Sequence, residues 1–535
     1  PPSVTHPARV GLANVHHDLG EYREAAARYE EIASAAEAVG DARGAALNRR
    51  NLARTLLEMG RPDDALRELD RVRAALETER DLEELAATRN TTGIVYRGLG
   101  DLRRAMEEFA EAERLAAEAG AGILRASVLA NQGAVYAQWN LPDKAIETYE
   151  RVDTLLADTG APTVQRDVLF LKANAHGRRG ESETALALYL RALAADEARG
   201  ARPLVVEDLG NIGNALGSLG RIEEARAAYR RAIALAEEVG ACETLWAAYL
   251  GLADTYEMSG ELDSARVNNG RAIQILESFR GRGLSESTKA EFLDRRAFVY
   301  EAQVNVLAQL AARTADTGLA EEAFETAERG KARALLDLLA QGAVDLTAGL
   351  DSATVAERDG RERAVNAARY RLRRAAEEGV PADSIRVLRE RVNEEERRIA
   401  ALMERIRLHD PRIAALDMGR IRTLAEIRAV LLADEGSALL EYALGDSASY
   451  GWLVTAEDLR LFSLPPRGRV EAEVQKLRAG LLSPRTSGDD QYLEAACALH
   501  AMAVGPAARE LSNARRLIIV PDGALSFVPF EALLT

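Results

Sequence analysis

Six asparagines fall into two series whose members differ by multiples of 40 residues. Asn51, Asn131 and Asn211 form one, and Asn14, Asn174 and Asn214 the other. A primary amide donates and accepts at once, so a row of them can hold the backbone of an extended peptide. The same amides could instead solvate a polar face or tie neighbouring helices together. Cys497 and His500 are the residues closest to a nucleophile–base pair. Three apart on a helix, they share a face. Yet Glu494-Ala495-Ala496-Cys497-Ala498-Leu499 reads as an amphipathic helix, with no strand-end turn or oxyanion donor beside the thiol. Cys497 is therefore expected to be a packed, inert thiol, and Cys242 a structural one. No catalytic residue is assigned. No spacing suits a metal and no glycine-rich loop suits a phosphate, so no cofactor is expected. Asp522-Gly523 reads as a strand-end turn.

Composition frames these residues. At 535 residues the chain exceeds one core and suggests two to four domains. A net charge of −16 argues against direct nucleic-acid binding. Two cysteines cannot make a disulfide framework and fit a reducing, cytoplasmic setting. No apolar run is long enough for a bilayer, so no membrane contact is expected. The opening Pro1-Pro2-Ser3, without Met, reads as a trimmed or processed terminus.

The elements that must position the asparagines repeat. Gly20, Gly60, Gly100, Gly180, Gly220 and Gly260 stand 40 apart, with Asn140 in the missing slot. Gly and Asn tolerate the left-handed conformation that closes a helix. Five residues after each marker is an alanine: Ala25, Ala65, Ala105, Ala145, Ala185, Ala225 and Ala265. Seven before it is Ala or Gly: Ala13, Ala53, Gly93, Gly133, Ala173, Gly213 and Ala253. Nine after it is a ring or Leu in six units, including Tyr29, Phe109, Tyr149, Tyr189 and Tyr229, and Asn269 in the seventh. Small residues let two antiparallel helices approach and large ones fill the groove between them. Each unit is thus a helical hairpin that needs stacked neighbours to bury its apolar face. His16 and His176, where other units carry Tyr or Leu, read as packing residues.

These residues resemble the tetratricopeptide repeat (TPR) in a 40-residue form, as seven hairpins over residues 5–280. The resemblance implies a superhelix whose inner wall comes from the first helix of each hairpin. The six asparagines would lie on that concave wall and a protein or peptide partner in its groove.

Residues 281–345 read as a helical bridge, with helices at 286–313 and 318–340. Within it, Lys331 and Arg333 read as a solvated face beside Glu325 and Glu328. Residues 346–418 read as a charged helical hairpin broken near Pro381. Strands follow at 437–444, 449–455 and 459–464, forming an antiparallel meander. Helices are expected at 467–482 and 489–511. The apolar run Arg516–Val520, ending in Pro521-Asp522-Gly523, reads as a strand buried on both faces in a parallel arrangement.

The runs Leu439-Leu440-Glu441-Tyr442, Tyr450-Gly451-Trp452-Leu453-Val454, Leu517–Leu525 and Val528-Pro529-Phe530-Glu531-Ala532-Leu533 resemble the first part of a CHAT domain, a member of the caspase–separase group of cysteine peptidases. Ala327-Glu328-Arg329-Gly330-Lys331-Ala332-Arg333 is similar to the segment that precedes it in TPR–CHAT proteins. The fold expected is therefore mostly α: a TPR α-solenoid, a helical bridge and hairpin, then a partial α/β caspase-like domain over 419–535. The resemblance places the His and Cys of the dyad after the Pro-Asp-Gly block, beyond Thr535, so this polypeptide alone is expected to be inactive. It implies a sensor and docking array that controls cleavage of a protein substrate by the completed CHAT domain. It also implies bacterial defence, with a CRISPR effector or a gasdermin-like protein as partner. The alternatives are a non-catalytic TPR scaffold and a peptide-responsive regulator with a CHAT remnant.

Overall fold

The computed structural model describes residues 7–18, 21–157, 161–239, 242–278, 286–341, 352–377, 382–409, 423–434, 436–482, 491–512 and 514–533. Gly20, Pro381, the side chain of Cys242 and that of Arg333 lie outside the described residues.

Fourteen helices follow one another as seven pairs. They are α1 (Pro7–Asp18), α2 (Tyr22–Ala38), α3 (Ala42–Glu58), α4 (Pro62–Glu79), α5 (Leu82–Gly98), α6 (Leu102–Glu118) and α7 (Gly122–Gln138). Then come α8 (Pro142–Leu156), α9 (Pro162–Arg178), α10 (Ser182–Arg199), α11 (Arg202–Ser218), α12 (Ile222–Val239), α13 (Cys242–Met258) and α14 (Leu262–Ser278). Local chemistry sets the starts. Asp41, Asp81 and Asp101 cap α3, α5 and α6 by accepting backbone N–H groups at 2.9–3.1 Å. Pro62, Pro142 and Pro162 occupy first turns, where no N–H is needed. Left-handed residues set the ends, with φ 57° at Asn140 and 68° at Gly60. Gly40, Arg80, Gly120 and Gly200 are left-handed as well, so the chain turns on a left-handed residue at each 20-residue step among these positions.

All seven alanines of the series from Ala25 to Ala265 are buried. The small positions opposite them explain the close approach. A Cβ on Gly93 would lie 2.5 Å from the Phe109 ring, and one on Gly213 would lie 2.6 Å from Tyr229. The histidines do not only pack: His16 Nδ1 lies 2.5 Å from Glu21 Oε2, and His176 Nδ1 2.5 Å from Glu181 Oε2.

Contacts divide the chain into two compact units: Pro1–Thr255 with Glu277–Phe292 and Gly349–Ile406, and Tyr256–Leu276 with Leu293–Ala348 and Arg407–Thr535. In the first, first helices of successive hairpins touch, α3 with α5, α5 with α7 and α7 with α9. This unit also holds α17 (Ser352–Glu377) and α18 (Ala382–His409), where Arg405 pairs with Glu357 at 2.5 Å.

The second unit holds α16 (Thr317–Gln341), most of α15 (Glu286–Thr314) and a four-stranded sheet. Its strands are β1 (Ser437–Ala443), β2 (Ser449–Val454), β3 (Leu459–Leu464) and β4 (Arg516–Val520), in the order β3-β2-β1-β4. The meander β1-β2-β3 is antiparallel, and β4 runs parallel to β1 with Leu439 opposite Ile518. The expectation for β4 is corrected in part. It is parallel, but it lies at the sheet edge and is half-buried, so only one flank of its ladder is paired among the described residues. Leu439, Trp452 and Val454 face α15, α16 and α19 (Leu424–Leu431). Trp452 donates to Ala320 O at 3.2 Å and meets Phe324 edge-on. Ala438, Leu440 and Tyr442 face α20 (Arg467–Leu482) and α21 (Gln491–Leu499). The helix expected over 489–511 is interrupted. After α21 a wide turn at His500–Val504 leads to Gly505-Pro506, and only Ala508–Leu511 is helical beyond.

Candidate functional site

The two asparagine series sit on the first helices, but they are held differently. Asn14, Asn174 and Asn214 each face the tyrosine fifteen residues later. Tyr29, Tyr189 and Tyr229 donate their hydroxyls to the amide oxygens at 2.6, 2.5 and 2.6 Å. The tyrosine rings are buried against the partner helix, and each hydroxyl emerges at the first-helix surface, where Asn14 and Asn214 are exposed. The amide oxygens thus accept from tyrosine, while the N–H donors make no hydrogen bond among the described residues.

The other series is half-buried. Asn131 Nδ2 donates to Asn90 Oδ1 at 3.0 Å, and its oxygen accepts from Arg97 at 3.3 Å. Asn211 Nδ2 donates back to Glu207 O at 3.0 Å within its own helix. The Asn51 side chain makes no hydrogen bond among the described residues. Asn14, His17, Tyr29, Asn51 and Arg54 line a hollow of about 280 Å³, so one member of each series meets at the first two hairpins.

Sequence reasoning missed a buried ionic cluster where α9, α10 and α11 meet. Arg166 donates to Asp196 at 2.5 Å and to Asp208 at 2.9 Å, and all three are nearly or fully enclosed. Arg199 also pairs with Asp196. Burial pushes the Asp208 carboxyl up to about 7 against the pull of Arg166, with Asp196 adding to the rise. Burial raises Glu207 as well. The signal available in sequence was an arginine and an aspartate on the first helices of consecutive hairpins, Arg166 and Asp208, 42 residues apart.

In the second unit Lys331 is not simply a solvated residue. Its Nζ lies 2.6 Å from Glu441 Oε1 on β1 and 3.5 Å from Glu328. Glu441 is buried in the sheet, and burial beside Glu328 holds its carboxyl well above the usual range despite Lys331. Arg467 donates to Glu301 and to Leu444 O, both at 2.6 Å, and Asp522 accepts from Leu444 N–H at 2.6 Å. A hollow of about 280 Å³ lies at the carboxyl ends of β1 and β4 beside these groups. Cys497 is exposed, contrary to the packed thiol expected, because its turn of α21 points away from the face that buries Ala495 and Leu499. His500 Nδ1 sits 2.5 Å from Leu533 O.

Residues 5–78, 165–238 and 209–278 match the sequence model of the tetratricopeptide repeat. The hairpins within these residues are TPR repeats, and the array is a TPR-like α-solenoid. Among solved structures, the chain is similar to BtubC from P. vanneervenii, at 19% identity over 42% of this chain and 92% of that one, TM-score 0.37. It is also similar to a Rap protein complexed with competence and sporulation factor, at 15% identity over 75% and 100%, TM-score 0.41. A third is NprR in complex with its cognate peptide NprX, at 15% identity over 48% and 72%, TM-score 0.35. No curated protein matches the chain. Among the described residues no helix is long and apolar enough to cross a membrane.

Proposed function

We propose that the repeats bind an extended segment of a protein or peptide partner along the first-helix face, and that this binding controls a TPR–CHAT cysteine peptidase. The observation that carries the first half is the two rows of amides at two fixed phases of the repeat. Three of them have the oxygen tied to a tyrosine and donors with no partner among the described residues, where the Asn51 side chain makes no hydrogen bond either. An extended backbone offers one carbonyl per residue and needs such donors. Asn14, Asn51, Asn131, Asn174, Asn211 and Asn214 are the assigned contacts.

The second half draws on the sequence resemblance of residues 419–535. The parallel pairing of β1 with β4 and the turn at Pro521-Asp522-Gly523 are compatible with the opening of such a domain. This polypeptide alone is inactive in this reading, because Cys497 and His500 serve no dyad. A cytoplasmic bacterial-defence setting, with a CRISPR effector or gasdermin-like protein, goes with the resemblance.

The test is selection of random dodecapeptides on the purified chain, followed by calorimetry with the best binder. Asn51→Ala and Asn211→Ala should each weaken it by about 0.5–1.5 kcal/mol with an unchanged melting temperature. Full affinity in the double variant rejects the amide clamp.

A further inference from the structure

The fourth hairpin departs from its siblings in a way that points to a ligand. Tyr29, Tyr189 and Tyr229 each give their hydroxyl to an asparagine fifteen residues earlier. Tyr149 occupies the same place, but the residue fifteen earlier is Ala134. Tyr149 is 1% exposed, and its hydroxyl has no hydrogen-bond partner among the described residues. A hydroxyl with no acceptor inside the protein is a donor that an incoming acceptor can engage.

Two cations, Arg97 and Arg178, bond to Asn131 and Ala137 of α7, the helix against which the Tyr149 ring packs at Gly133. Arg97 is half-buried, donates to Asn131 Oδ1 at 3.3 Å, and is pressed by burial below the usual arginine range. Arg178 donates to Ala137 O at 2.7 Å. Neither forms an ion pair among the described residues, although Asp and Glu outnumber Lys and Arg by 85 to 69. Asn131, pinned through Asn90, holds its oxygen toward Arg97. A hydroxyl donor and two guanidinium groups without counter-ions make a set of donors for an acceptor-only anion.

We propose that Tyr149, Arg97 and Arg178 receive the side-chain carboxylate of an Asp or Glu in the bound segment, an inference that rests on the peptide-binding reading above. A side chain is chosen over a chain terminus because the site is in the fourth of seven hairpins. Repeats continue on both sides, so an extended occupant passes through. The carboxylate supplies to Tyr149 the acceptor that asparagine supplies in the first, fifth and sixth hairpins.

The test uses three fluorescein-labelled Gly-Ser nonapeptides and fluorescence anisotropy at low ionic strength. One has a central Glu and an amidated end, one a central Gln and an amidated end, and one neither, with a free terminal carboxylate. The Glu peptide should bind about tenfold or more tighter than the Gln peptide. That advantage should vanish in Arg97→Gln, in Tyr149→Phe and in Ala134→Asn. The last removes no charge and gives Tyr149 the internal partner its siblings have, so its melting temperature should not fall. An Ala134→Asn variant that keeps the full advantage overturns the site, as does a Glu peptide that fails to bind. Tighter binding of the free-acid peptide overturns the side-chain assignment. Equal binding of Glu and Gln peptides, lost together in Asn211→Ala, removes the carboxylate site and leaves the peptide groove standing.

Discussion

Replacing Gly133 by Ala tests how the hairpins close. Gly133 is on α7, and a Cβ there would lie 2.3 Å from Tyr149 Cε1 and 2.7 Å from Cζ. Tyr149 has no room to retreat, because its ring is enclosed among Ala145, Val152 and the α7 face. Gly210, in the interior of α11, has nothing within 4 Å of the same added atom. Both changes gain the helix propensity of Ala over Gly, about 0.8–1.0 kcal/mol. Only the first also overpacks a buried contact, at about 1–3 kcal/mol. Propensity cancels in the comparison, so Gly133→Ala should be less stable than Gly210→Ala by about 1–3 kcal/mol. Because a repeat array does not unfold as one cooperative block, hydrogen exchange resolved by segment is the suitable assay. Protection should fall in α7 and α8 for Gly133→Ala and rise in α11 for Gly210→Ala. Equal protection in the two variants would refute the close packing of ring on glycine.

Two further predictions concern the buried charges. Burial lifts Asp208 from 3.8 to about 7, so the native protein keeps a proton that the unfolded chain releases across that window. Stability contributed below pH 4 is therefore lost as pH rises toward 7. Asp208→Asn should remove about 2–4 kcal/mol of that decline, read from urea midpoints at pH 5 and 8. A wild-type slope retained in Asp208→Asn would contradict it. Lys331→Met strands Glu441 in the sheet and should cost about 3 kcal/mol or more. The pair Lys331→Met with Glu441→Leu should recover most of that in thermal melts, and a double variant as unstable as the single one would show that the ion pair itself is needed.

The repeat was legible because its signal is local and periodic. A small residue at each of two fixed phases is enough to bring two helices together, and every alanine of the series is buried as that logic requires. The second left-handed turn of each unit was less visible, since Arg80 can stand where Gly40, Gly120 and Gly200 do. Partnerships across distance were not legible. Lys331 reads as solvated within its helix, because its partner Glu441 is 110 residues away. Cys497 reads as packed from its alanine-rich neighbours, yet the helix phase turns it outward. The tyrosine–asparagine pairs were within reach: the two residues co-occur in three hairpins, and the second, third and seventh carry neither at those phases. Each belongs to a separate column of the repeat, and only the contact joins them.

The left-handed closures at Gly40, Gly60, Gly100, Gly120 and Asn140 give the array a counting rule. Each added residue turns a helix face by about 100°, so a gain or loss inside a helix rotates the alanine and ring columns out of register with their neighbours. A block of one whole unit, cut from one left-handed residue to the next of its kind, restores every column. The array can thus lengthen or shorten by entire hairpins while keeping its contacts. Single-residue insertions are tolerated only at the turns, where no packed column has to follow.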